Sequence, residues 1–76
     1  MFNINTPMMN FVKQSELNLQ HIKRDFLLYI EQGEDVENAS CLALEKNNIK
    51  NQRDLYGQLV STDIKELENF LSKFNR

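Results

Sequence analysis

Residues 17–32 read LNLQHIKRDFLLYIEQ, and the fold turns on how this stretch is laid out. At about 100° per residue, Leu19, Ile22, Phe26 and Ile30 fall on one face, with Tyr29 beside them. Gln20, Lys23, Arg24 and Glu31 lie beside or away from that stripe. The spacing predicts a long amphipathic helix that serves as the centre of the molecule. Gly33 follows its last periodic residue, where a glycine can take the left-handed turn that ends a helix without a Cβ clash. Leu17 and Leu28 fall nearly opposite the core stripe, with His21 and Arg24 between them. Leu27 widens the apolar arc. Those leucines need a cover: another helix, the N-terminal arm, or a second polypeptide.

Upstream, residues 1–6 form an arm in which Phe2 and Ile4 alternate with asparagines. The arm is too short to build a sheet, so its apolar side chains either dock on the helices or stay mobile. Thr6-Pro7 suits a helix start. Met8, Met9, Phe11 and Val12 then suggest a first short helix near 7–14, with Ser15 capping the central helix near 16–32. Met8, Val12, Ser15, Leu19 and Ile22 keep one register, so a single unbroken helix over 7–32 is the alternative.

Downstream, Asp35 caps a helix near 36–47. Ala39 and Ala43 allow close approach of a neighbouring helix, and Cys41 reads as a small buried hydrophobe. Asn47-Asn48 can end this helix, because asparagine tolerates the left-handed region, and Ile49 would fold back as the apolar contact after the cap. Asn51 and Asp54 open a helix near 52–60 with Leu55, Tyr56, Leu59 and Val60 on its apolar side; Gly57 within it would permit a close contact. Asp63 and Glu66 resemble a capping box for a last helix near 63–75, although Ser61 or Thr62 can cap instead. There Ile64, Leu67, Phe70, Leu71 and Phe74 follow the i, i+3, i+4, i+7 rule. The expected fold is all-α: one domain over residues 1–76, a small bundle of four to five short antiparallel helices joined by short loops.

Composition narrows the chemistry. The chain has 76 residues, of which 41% are hydrophobic and 26% charged, so it is expected to be globular rather than disordered. A chain this short buries a small core and often gains stability from a disulfide, a metal or oligomerisation. One cysteine and one histidine rule out an internal disulfide and an ordinary Cys/His zinc site, so no metal or other cofactor is expected. A homodimer is the remaining aid. The longest apolar run, Phe26 to Ile30, is far short of the roughly 20 residues of a membrane span. There is no basic segment followed by an apolar core at the start of the chain. The lone cysteine agrees with a cytoplasmic, reducing setting.

Catalysis is not expected. His21 has Asp25 one turn on, which could orient the imidazole, yet no serine or cysteine is placed near them by local spacing. The two glycines stand apart and form no phosphate loop.

Residues 36–60 are expected to form a helix, a short turn and a second helix, and the pattern ASCLALEKNNIKNQRDLYGQL within them loosely resembles a helix-turn-helix of a DNA-binding regulator. Ala39 and Ala43 supply small residues in the first helix, Ile49 lies in the turn and Leu55 in the second helix. The resemblance implies that Lys50, Asn51, Gln52 and Arg53 would enter the major groove of DNA. Asn48 stands where the turn glycine is usual, Leu55 comes one residue late, and the net charge of −2 gives no basic face.

Protein binding takes the greater weight. The chain carries more apolar positions than one thin core uses, and such surplus marks an interface. The expected anchors are Met8, Phe11, Leu17, Leu28 and Tyr29, with His21 and Arg24 at the polar edge. The partner is another protein or a second copy of the chain, and the expected role is regulatory.

Overall fold

The computed structural model describes residues 7–74, with side chains from residue 11 onward. It contains four helices in the order α1 (Pro7–Glu31), α2 (Val36–Lys46), α3 (Gln52–Gln58) and α4 (Ser61–Ser72). The chain is therefore all-α among the described residues. The other three helices all pack on α1. The expectations for the arm at 1–6 and for the Met8 side chain lie outside the described residues.

The break expected at Ser15 does not occur. Helix α1 runs unbroken from Pro7 to Glu31, and Ser15 sits fully buried inside it rather than capping a second helix. Its Oγ donates to Asp63 Oδ2 at 2.6 Å and accepts the Val60 backbone N–H at 2.8 Å. A serine inside a helix is tolerated when its hydroxyl finds partners elsewhere. Here the partners come from the start of α4.

Both predicted helix ends hold in detail. Gly33 has φ +101°, with its N–H on Ile30 O and the Glu34 N–H on Tyr29 O. Asn48 has φ +65°, with its N–H on Glu45 O and the Ile49 N–H on Leu44 O. Each is a Schellman arrangement, which satisfies carbonyls the helix itself leaves unpaired. Ile49 is buried immediately after the second of them, as the apolar contact of that cap.

The core joins Leu19, Ile22 and Phe26 of α1 to Ala39 and Ala43 of α2, to Ile49 and Leu59 in the connections, and to Ile64 and Leu67 of α4. The two alanines are completely covered, so α2 lies close against its neighbour. Phe26, Phe70 and Phe74 pack edge-to-face, with ring centroids 5.0–5.7 Å apart. That geometry suits the aromatic quadrupole. Lys23 of α1 closes this side, forming a 2.7 Å ion pair with Glu66 and lying over the Phe70 ring.

A polar belt fixes the ends of α2 and α3. Asn18 Nδ2 donates to Gln58 O, Gln58 Nε2 donates to Asn47 O, and Asn47 Nδ2 donates to Asp25 Oδ2. The belt leaves α1 at Asn18 and returns to it at Asp25, two turns further along the same side. Scattered amides in the sequence thus do structural work at the helix ends.

Three local expectations change. Cys41 is exposed, because the buried side of α2 is taken by Ala39 and Ala43. Gly57 permits no close contact: a Cβ built there meets nothing within 4 Å. The last helix begins at Ser61 with Val60 as its cap residue and no side-chain cap bond, while Asp63 is buried in the first turn. Leu59 and Val60 take extended backbone instead of continuing α3. That turn lets Leu59 enter the core and lets the Val60 N–H reach Ser15.

Candidate protein-binding face of helix α1

Helix α1 has a filled side and an open side. Leu19, Ile22 and Phe26 on the filled side are covered by the other helices. About 180° around the wheel, Leu17 remains 54% exposed and Leu28 45% exposed. Leu27 beside them is also 45% exposed. Lys13, Gln20, His21, Arg24 and Glu31 share that open side and are exposed. Single exposed leucines are ordinary on a protein surface. Leu17 and Leu28 on one outward face, with Leu27 at its edge, are a patch.

The expected anchors divide between the two sides. Leu17, His21, Arg24 and Leu28 lie together on the open face. Tyr29 is half-buried and packs against the core cluster instead. Phe11 is half-buried near the start of the helix. Leu27 lies at the edge of the face on the wheel, and its exposure, equal to that of Leu28, is what adds it to the patch. Two depressions border the face: a groove between α1 and α4, lined by Leu17 and Gln20 with Asp63 and Glu66, and a second one lined by Leu27 and Leu28.

Asp25 does not serve His21. Its side chain turns the other way, into the seam between α1 and α2, and is almost fully buried. Oδ2 accepts from Asn47, while Oδ1 has no hydrogen-bond partner and lies 3.5 Å from Arg24 and 3.9 Å from Lys46 Nζ. Two exposed cations thus face a buried carboxylate, which compensates the charge. His21 stays in solvent on the open face. No cluster of His, Cys, Asp and Glu that could hold a metal ion occurs among the described residues.

The residues of the helix-turn-helix resemblance are largely spent on local structure. Asn51 caps α3 by accepting the Asp54 N–H at 2.9 Å. Asp54 in turn accepts the Lys50 N–H at 2.9 Å. Gln52 Nε2 donates to the Tyr56 hydroxyl. The side chains of Lys50 and Arg53 are exposed. Helix α3 spans only Gln52–Gln58, two turns, against the expected 52–60.

Compared with protein-family models, with curated proteins and with solved structures, the chain matches none. Its functional reading therefore stands on the open face of α1. No helix among the described residues is long and apolar enough to cross a membrane.

Proposed function

We propose that this chain is a non-catalytic protein-binding module of regulatory type, acting through the open face of α1, with another protein or a second copy as its partner. One observation carries the proposal: Leu17, Leu27 and Leu28 are about half exposed on a helix whose opposite side already supplies a filled core. Apolar surface left over after the core is complete gains most by covering itself with a partner. The non-catalytic part is supported by the separation of His21, in solvent, from Asp25, committed to Asn47. A cytoplasmic setting is supported by Cys41, an exposed thiol that persists best under reducing conditions.

The test is Leu17→Glu with Leu28→Glu. Circular dichroism should show a folded helical chain, since neither side chain belongs to the core. Binding by purified partner, or by the chain to itself, should be lost. A double variant that unfolds, or an association that survives the substitutions, would refute the proposal.

A further inference from the structure

Six exposed residues of α1 recur at positions 13, 17, 20, 24, 27 and 31: Lys13, Leu17, Gln20, Arg24, Leu27 and Glu31. The alternating spacing of four and three keeps them on one stripe, as in a helix–helix seam. The stripe is self-complementary when reversed. Its ends are a cation and an anion, its next positions are both leucine, and its middle is a glutamine and an arginine.

Deepening the protein-binding proposal above, and resting on it, we infer that the occupant of this face is a second copy of the chain, with the two α1 helices antiparallel about a two-fold axis at residue 22. That axis sets Lys13 against Glu31 of the second copy, Leu17 against its Leu27, and Gln20 against its Arg24. Each pair occurs twice by symmetry, as an isologous interface requires.

The end charges have no such use within one chain. Lys13 and Glu31 are separated by 18 residues of helix, about 27 Å at 1.5 Å per residue, too far to pair. Neither takes part in an ion pair among the described residues. Arg24 lies 3.5 Å from Asp25, and its five-donor guanidinium keeps N–H groups for a glutamine carbonyl. The leucines supply the apolar contact, while the exposed charges set register and orientation more than affinity. A seam of this length lies at the small end of protein interfaces, so the expected dimer is a reversible one.

Sedimentation equilibrium of the full chain at low ionic strength, with helicity followed on the same samples, should show a monomer–dimer equilibrium. Lys13→Glu or Glu31→Lys alone should weaken it about tenfold, because each places like charges together twice. The double exchange, Lys13→Glu with Glu31→Lys, should restore it. Orientation is read by disulfide formation in a Cys41→Ser background. Leu17→Cys mixed with Leu27→Cys should cross-link between chains. Leu17→Cys alone should not, since the two copies of position 17 would stand about 15 Å apart along the seam.

A chain that remains monomeric up to millimolar concentration overturns the self-pairing, as does a dimer that the double exchange fails to restore. The broader proposal fails separately, when Leu17→Glu with Leu28→Glu leaves every association of the chain intact.

Discussion

Ser15 Oγ donates a 2.6 Å hydrogen bond to Asp63 Oδ2 across 48 positions of sequence, and both residues are buried. The same hydroxyl accepts the Val60 N–H. One serine therefore holds the start of α4 against the middle of α1. Replacing it by alanine leaves a buried carboxylate and a largely buried amide without this partner. Ser15→Ala should cost about 2–3 kcal/mol, measured by urea denaturation. Because Asp63 is the other half of the bond, Ser15→Ala with Asp63→Ala should cost clearly less than the sum of the two single changes. Strict additivity would mean the bond contributes little.

Phe26 is the most deeply enclosed large side chain, touching Phe70 and Phe74. Phe26→Ala should lose about 3–5 kcal/mol. Small domains have about 5–10 kcal/mol in total, so the variant should lose a large share of its stability and melt well below the parent. A thermal melt followed by circular dichroism checks this, and a melting temperature close to the parent's would contradict the packing described.

The two glycines should respond in opposite directions. Gly33 sits at φ +101°, where any Cβ is strained although the space around it is open. Gly33→Ala should destabilise by about 1–2 kcal/mol. Gly57 lies within α3, with no positive φ and no atom near a built Cβ. Gly57→Ala should stabilise by about 0.5–1 kcal/mol, through helix propensity and a less free unfolded chain. Chemical denaturation of both variants tests the pair, and like signs would be inconsistent with the backbone geometry.

Asn47 closes the polar belt by donating to Asp25 Oδ2 and to Ala43 O. Asn47→Leu should remove the donor from a buried carboxylate and cost about 1–3 kcal/mol. Amide exchange on α2 should accelerate at its C-terminal end before its start, since Asp35 still caps the start. Uniform acceleration along α2 would show that the belt does not localise the effect.

On the open face, Leu17→Glu with Leu28→Glu should change the stability of the folded monomer by less than about 1 kcal/mol, as surface changes do. Denaturation at a concentration below any association is the appropriate measurement. A loss comparable with that of Phe26→Ala would place these leucines in the core.

Helix type was legible wherever apolar spacing agreed with cap chemistry. The stripe Leu19, Ile22, Phe26 and Ile30, the turn at Gly33, the cap at Asp35 and the Asn47-Asn48 stop are all local signals, because a helix bonds only within itself and its ends depend on the adjoining residues. That α1 carries leucines on a second side was legible too, because Leu17 and Leu28 lie opposite the stripe on any helical wheel, but whether another element covers them was not. The continuity of α1 through Ser15 was not, because the choice rests on a hydroxyl whose partners are 45 and 48 residues away. Cys41 and Ala43 are both small apolar residues of α2; only the position of α1 decides that one is covered and the other wet.

By itself, then, the sequence determined an all-α chain, most of its helix ends and an α1 with apolar residues on two sides, since each follows from periodicity and near-neighbour bonding. Tertiary structure alone decided that Asp25 and Asp63 are buried acceptors rather than a histidine's partner and a helix cap, and that Tyr29 faces inward while Leu17, Leu27 and Leu28 face out. Those outcomes depend on which elements meet across the fold, and long-range contacts leave no period in the chain that makes them.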